Sequence, residues 1–121
     1  MSPNSPLKKK TFLFAIRVVN LFKFLTTERK EFILSKQLLR SGTNPGAMVR
    51  VAFNAESGND FIHKLKIGQK EIGETLYWLE LLYETKYINS NQYDSMNKDG
   101  VEVMKLIKSS IQTRRKNLKS K

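Results

Sequence analysis

The residues best suited to chemistry are one histidine and one close pair of glutamates. His63 is the only histidine and the chain has no cysteine, so a zinc site, which needs several nitrogen or sulfur ligands, is not expected. Glu71 and Glu74 stand three residues apart, which places both carboxylates on one face of a helix. A di-iron site would need Glu-x-x-His repeats on neighbouring helices, and the sequence contains none. We therefore predict no metal and no cofactor, and we expect the two glutamates to pair with Lys70 or another lysine.

Two further segments look like binding motifs, but neither indicates an enzyme. The segment RSGTNPG, which begins at Arg40, has the glycines of a phosphate loop, but no Gly-Lys-Ser or Gly-Lys-Thr follows them. Tyr77 and Trp78 could form a binding platform, although a bulky aromatic in a bundle helix more often lies in the core or at a subunit interface. Arg40 and Arg50 flank the small-residue segment, and their partners are either carboxylates within or between subunits or a polyanion. No residue is predicted to be catalytic.

The two ends of the chain carry its excess of positive charge. The formal net charge is +11. Residues 1–25 contain five basic residues and no acidic ones, and residues 103–121 contain seven basic residues and no acidic ones. The middle is near neutral, with 10 basic residues against all 11 acidic ones. Such ends serve either as a solubilising surface with a disordered tail or as a surface that displaces counterions from phosphates.

The length and composition indicate one small domain outside the membrane. A chain of 121 residues has the size of a single domain. No apolar run approaches the roughly 18 residues of a membrane span, and the N-terminal region lacks the apolar run and cleavage site of a signal peptide. The absence of cysteine fits a reducing compartment. We therefore expect a soluble cytoplasmic protein with no membrane partner.

Apolar residues recur at spacings of three and four along the whole chain, which predicts amphipathic helices and no strands. The apolar face of the first helix is wider than one helical partner requires. Ser5 and Pro6 could cap and begin this helix, or the lysines that follow could delay its start to near Thr11. Within one domain, 1–121, we predict helices at about 7–26, 28–54, 58–85 and 90–113, a flexible leader at 1–6 and a basic tail at 114–121.

The second helix has a seam of small residues. Thr26 and Thr27 are predicted to form the turn and the N-cap before it, with Glu31 in its first turn. Glycines one turn apart on the seam would let another backbone approach closely. Pro45 either kinks one continuous helix, which we favour, or begins a new helix capped by Asn44. The seam residues are Phe32, Ser35, Leu39, Gly42, Gly46, Val49 and Phe53.

The predicted topology brings the two basic segments together. Capping-box pairs, Ser57 with Asp60 and Asn89 with Gln92, mark the starts of the third and fourth helices. Four helices with short links predict an antiparallel up-down-up-down bundle, in which the start of helix 1, the link between helices 2 and 3 and the end of helix 4 share one end. We predict that nucleic acid binds this end. The candidate residues are Lys8, Lys9, Lys10, Arg17, Arg114, Arg115, Lys116 and Lys119.

Two segments of the chain match a known family pattern. They read QLLRSGTNPGAMVRVA and AESGNDFIHKLKIGQKEIGETLYWL. They resemble the bacterial four-helix bundle proteins of the 23S rRNA intervening-sequence (S23) family, whose pattern is Q-L-x-R-S-G-T-S-I-G-A-N-x-x-E-A and then A-E-S-x-x-D-F-I-x-K-L-x-I-A-x-K-E-A-x-E-T-x-Y-W-L. The match extends over nearly the whole chain and is densest at 37–82. Departures include Pro45, Met48, Val51 and Gly68, where the family has Ile, Asn, Glu and Ala.

The resemblance implies an all-α bundle that assembles into a homo-oligomer, in particular a pentameric barrel. The chain is also similar to the pentameric accessory protein of diversity-generating retroelements, a basic bundle that binds nucleic acid and a reverse transcriptase. The family supplies no catalytic residue. We therefore interpret the motif residues as a packing and oligomer core, whose candidates are Arg40, Gly42, Gly46, Phe61, Leu65 and Trp78.

Two functions follow as expectations. The first is a non-enzymatic oligomeric bundle that binds the backbone of RNA or DNA through its basic end. The alternative is a protein-interaction scaffold or an accessory subunit, for example to a reverse transcriptase, with no direct nucleic-acid role.

Overall fold

The computed structural model describes residues 5–119, which form four α-helices. Each helix packs against the next one along the chain, and a smaller contact between the first and last helices closes the bundle. The predicted all-α, up-down four-helix bundle is confirmed. Residues 1–4 of the predicted leader and 120–121 of the predicted tail lie outside the described residues. The helices are α1 Pro6–Thr27, α2 Leu34–Ala52, α3 Gly58–Glu84 and α4 Ser90–Lys119.

The core is a continuous stack of apolar side chains to which all four helices contribute. These positions repeat every three or four residues along each helix, as the sequence predicted, so each helix buries one stripe. Burying one such side chain contributes about 1.5–3 kcal/mol. The largest fully buried side chains include Phe14, Leu25, Leu38, Leu65, Ile72, Leu79, Leu82 and Ile107.

Glycines on α2 allow α1 to approach closely. A Cβ atom on Gly42 would lie 2.7 and 2.8 Å from the two Cγ atoms of Val18. A Cβ on Gly46 would lie 3.3 Å from the backbone oxygen of Thr11. The close approach predicted for the small-residue seam therefore occurs within one chain. Pro45 is buried inside a single α2 helix, so the alternative of a second helix beginning there is wrong.

The predicted boundary between the first two helices is wrong, because α2 begins at Leu34 and not near residue 28. Thr26 and Thr27 stay in α1, where their hydroxyls donate to carbonyl oxygens one turn back at 3.0 and 2.6 Å. Threonine hydroxyls that bond back in this way are not available to cap a following helix. Phe32, predicted to lie in the helical seam, belongs to the link and is 52% exposed.

Glu31 caps α2 from within this link. Its carboxylate accepts hydrogen bonds from the backbone N–H groups of Leu34 at 3.0 Å, Ser35 at 2.6 Å and Ile33 at 3.1 Å. Burial alone would raise the pKa of the Glu31 carboxyl, but the hydrogen bonds from these three amides outweigh it and hold the pKa below its ordinary value. A negative charge is thereby kept at the positive end of the α2 dipole.

The other predicted helix starts are confirmed. The Ser5 hydroxyl accepts a hydrogen bond from the first turn of α1 at 3.2 Å, so this helix begins at its proline and not near residue 11. Ser57 accepts from the amide of Asp60 at 3.1 Å, while the Asp60 carboxylate accepts from the amide before Ser57 at 3.3 Å. Asn89 and Gln92 exchange two bonds of 2.8 Å, which is a complete capping box.

α4 extends through Lys119, so the predicted end near residue 113 and the separate basic tail are wrong within the described residues. Arg114 and Leu118 follow Ile111 at helical spacing and continue its contacts with α3. Leu118 packs so closely on Gly58 that a Cβ there would lie 2.7 Å from its Cδ2. Basic residues in the last turn also favour the helix, because they interact with the negative end of its dipole.

Candidate nucleic-acid interface

Lys8 and Arg114 meet at one end of the bundle, as the topology predicts. Phe53, directly after α2, and Phe61, in the first turn of α3, have nearly parallel rings with centroids 6.5 Å apart. The Nζ atom of Lys8 lies 5.7 Å from the Phe53 centroid, and the Cζ atom of Arg114 lies 4.0 Å from the Phe61 centroid. The sequence did not identify these two rings as the support for the cations, because their spacing is that of ordinary core residues.

Arg114 is the most strongly positioned cation at this end. Its guanidinium lies over the ring of Phe61 and lines two shallow cavities of about 320 and 230 Å³. Among residues 5–119 it has no carboxylate partner. Stacking restricts the side chain and leaves the N–H edge of the guanidinium available. Less conformational entropy is therefore lost when an anion binds it.

Four more of the predicted cations lie exposed at the same end of the bundle. Two carboxylates lie there as well, Glu56 in the α2–α3 link and Asp60 in the first turn of α3. Asp60 is already paired with Lys64, at 3.4 Å, so the local field is positive. We call this cluster the basic end, and its members are Lys8, Lys9, Arg114, Arg115, Lys116 and Lys119.

Lys10 and Arg17, also predicted to bind nucleic acid, are engaged elsewhere. Arg17 lies farther along α1, where its Nη1 is 2.5 Å from Asp99 and its Nη2 donates to the Ser95 hydroxyl at 2.8 Å. Lys10 lies 3.4 Å from Glu102. These ion pairs close the seam between α1 and α4, so we do not include the two cations in the basic end.

The densest motif residues form a polar clamp between α2 and α3. Arg40 donates to Glu71 at 2.8 Å and also to Glu74, and Glu74 accepts a further bond of 3.2 Å from the indole N–H of Trp78. The hydrogen bond to Glu71 raises the pKa of the Arg40 guanidinium above its ordinary value. The predicted pairing of the glutamates with Lys70 is therefore wrong, because the planar fork of arginine engages both carboxylates at once.

The other motif residues also make their contacts inside the fold of a single chain. Beneath the clamp, the hydroxyls of Thr75 and Ser41 share a buried hydrogen bond of 2.9 Å. Leu65 and Phe61 are buried in the core. Of the partners considered for Arg40, carboxylates within the same subunit are the ones observed. This segment therefore positions the helices that carry the basic end.

An apolar stripe on α1 faces away from the core. The side chains of Phe12, Leu13 and Ile16 are 53%, 45% and 42% exposed. Arg50 reaches across from α2, with its Cζ atom 5.3 Å from the centroid of Phe12. This stripe is the part of the wide apolar face of α1 that neither α2 nor α4 covers.

A concavity with a volume of about 570 Å³ lies at the opposite end of the bundle. Its lining combines aromatic rings, including Tyr83 and Tyr87, with both Arg29 and Glu84. Beside it, burial raises the pKa of the Tyr93 hydroxyl. No group of residues within 5–119 has the three acidic, histidine or cysteine ligands that a metal ion would need. None of the helices in this part of the chain has the length and apolarity that a membrane span requires.

Comparison with known proteins identifies the same family that the two motif segments resemble. The model of the family 23S rRNA-intervening sequence protein matches residues 4–109. The crystal structure of a protein with unknown function from the S23 ribosomal protein family of Bacteroides thetaiotaomicron is 55% identical, with a TM-score of 0.86, over 87% of this chain and 97% of that chain. No curated protein matches the chain. The chain therefore belongs to the 23S rRNA-intervening sequence protein family.

Proposed function

We propose that this chain is a non-enzymatic helical bundle that binds the phosphate backbone of nucleic acid through its basic end. The observation that carries the proposal is the convergence of α1 and α4, which places Lys8 and Arg114 on the paired rings of Phe53 and Phe61. Clustered lysine and arginine side chains bind phosphates by releasing counterions, with little reading of base sequence. The motif segment is engaged within the fold, so the proposal places the ligand on the basic end instead.

Charge removal at the basic end tests this proposal. A variant with Lys9, Arg115, Lys116 and Lys119 changed to glutamine keeps the contacts of Lys8 and Arg114, because all four side chains are exposed. At about 0.1 M salt its affinity for RNA and for duplex DNA is expected to fall about ten-fold or more, and the slope of log K against log salt to become shallower by up to about 0.9 per cation removed. Fluorescence anisotropy at several salt concentrations measures both quantities.

A matched control separates local charge from net charge. Changing Lys23, Lys30, Lys36 and Lys98 to glutamine removes the same charge from exposed positions away from the basic end. This variant is expected to bind like the unaltered chain. A flat salt dependence of the unaltered chain, or equal losses in the two variants, would contradict binding at the basic end.

We also propose that the chain assembles with copies of itself through the apolar stripe of α1, in the ring of five that its family resemblance implies. Light scattering is expected to give about five times the chain mass of 14.0 kDa. Changing Phe12 and Ile16 to serine should reduce the mass to that of one chain, because the stripe would no longer exclude water. The exposed large apolar side chains of α1 all lie in this stripe, so the helix offers no matched pair of positions for a control variant. Circular dichroism therefore verifies that the variant folds.

If light scattering gives the mass of a single chain for the unaltered protein, the proposed ring of five is contradicted. In that case the stripe would favour the second candidate function, an accessory subunit that binds another protein such as a reverse transcriptase. A reverse transcriptase gene beside the gene for this chain would support the same candidate.

A further inference from the structure

The register between α3 and α4 brings lysines of both helices onto one side face of the bundle. Gly58 faces Leu118, Gly73 faces Met104 and Leu76 faces Gly100. At this antiparallel register Lys66 lies level with residue 110 and Lys70 lies level with residue 106. Lys105 and Lys108 occupy the neighbouring positions on the outer side of α4, and all four lysines are exposed. We call these four residues the lateral cluster.

This side face carries almost no negative charge. Residues 61–73 of α3 and 103–119 of α4 include a single carboxylate, Glu71, and Arg40 on α2 binds it. Of the three acidic residues of α4, Asp99 and Glu102 pair with cations of α1, and Asp94 lies in the first turns of the helix, outside residues 103–119. No member of the lateral cluster has an ion-pair partner among residues 5–119. The lysines therefore extend the positive surface of the basic end along the bundle.

We propose that the lateral cluster and the basic end together form a docking surface for double-stranded nucleic acid. This inference rests on the proposed function and specifies the form of the ligand. The cations stand in two rows, one on α3 and one on α4, and packed helices have axes about 8–10 Å apart. A duplex that lies along this face presents phosphates of both strands, so cations of the two rows can contact both strands.

The length and chemistry of the face favour a duplex over a single strand. From Lys105 to Lys119 the α4 row spans about 21 Å at 1.5 Å per residue, which corresponds to roughly six base pairs at 3.4 Å each. Surfaces that bind single strands combine cations with aromatic platforms on which bases stack. In residues 61–73 and 103–119 the only phenylalanine, tyrosine or tryptophan is Phe61, and it is buried. The exposed ring of Tyr77 lies about two turns beyond Lys70, past the end of the α4 row. Within the lateral cluster itself, contact is therefore limited to phosphates, which a duplex holds at fixed spacing.

A four-lysine variant tests the proposal. With Lys66, Lys70, Lys105 and Lys108 changed to glutamine, affinity for a duplex of about 20 base pairs is expected to fall about ten-fold or more at about 0.1 M salt, with a salt slope shallower by up to about 0.9 per lysine. Affinity for the single strand of the same sequence should change much less. Duplex RNA and duplex DNA are titrated as separate arms, and circular dichroism verifies that the helices are intact.

The outcomes distinguish this inference from the proposed function. The control variant at Lys23, Lys30, Lys36 and Lys98 removes equal charge and should bind the duplex normally. If the lateral variant binds the duplex as the unaltered chain does, while the variant at the basic end does not, the lateral surface is overturned and the proposed function stands. Equal losses for duplex and single strand, or equal losses in the lateral and control variants, would also overturn the duplex surface. If neither the basic-end nor the lateral variant loses affinity, both proposals fail.

Discussion

Replacing Gly42 with alanine is expected to destabilise the bundle by up to about 2 kcal/mol, although alanine is the better helix former. The new Cβ would lie 2.7 and 2.8 Å from the Cγ atoms of Val18, which is fully buried. A valine cannot turn away easily, because branching at Cβ leaves it one preferred rotamer in a helix. Overpacking a core lowers the free energy of unfolding by about 1–3 kcal/mol, whereas the higher helix propensity of alanine raises it by about 1 kcal/mol. Urea unfolding at neutral pH measures the net change.

Gly73 provides the matched control for this substitution. The nearest atom to a Cβ at Gly73 is the terminal methyl of Met104, at 3.6 Å, so alanine there should be neutral or stabilising by up to about 1 kcal/mol. Changing Val18 to alanine removes both clashing atoms. The double variant of Val18 and Gly42 should therefore be less destabilised than the sum of the single variants, by more than about 0.5 kcal/mol. Additive effects, or a stabilised Gly42→Ala variant, would show that the two helices are not in close contact.

Replacing Glu31 with alanine is expected to cost about 2 kcal/mol, because the start of α2 loses its cap. Three backbone N–H groups lose their acceptor, and one of them belongs to Ser35, which is fully buried. Glu31→Gln should have a smaller effect, since it retains one oxygen and loses the charge. Glu28, which is exposed and not part of the cap, is the matched control, and Glu28→Gln should change the free energy of unfolding little.

The pH dependence of the Glu31→Gln variant isolates the carboxylate. Because the folded pKa of Glu31 lies below the unfolded value of about 4.5, its charge stabilises the fold fully above that value. The contribution is lost as the pH falls through the lower folded pKa. The difference in unfolding free energy between the unaltered chain and the variant should therefore be constant near neutral pH and shrink below about pH 4.5. A difference that persists unchanged at about pH 3 would show that the charged form does not provide the cap.

Periodicity and local capping predicted most of the fold because both depend on residues close together in the chain. The spacing of the apolar residues indicated four helices, and the pairs at Ser57 and Asn89 marked two of their starts. Short links restricted the topology to an antiparallel bundle. The meeting of Lys8 with Arg114 followed from that topology alone.

The incorrect predictions arose where a distant or competing partner decides the local structure. Thr27 has the chemistry of an N-cap, but its hydroxyl bonds back into α1. α4 continues past residue 113 because Leu118 packs on Gly58, a contact between residues far apart in sequence. Neither the engagement of Arg17 by α4 nor the support of the basic end by aromatic rings can be read from local spacing.

The clamp that Arg40 forms with α3 has a consequence for how this family can evolve. The residues by which a relative is recognised hold two helices together, whereas the cations available to a ligand are exposed lysines and arginines with few internal contacts. Substitutions at those cations are expected to leave the bundle intact, so natural selection can alter the ligand without first restoring a damaged fold. Orthologous bundles that share the motif segment are thus expected to retain one architecture while their surfaces diverge in charge.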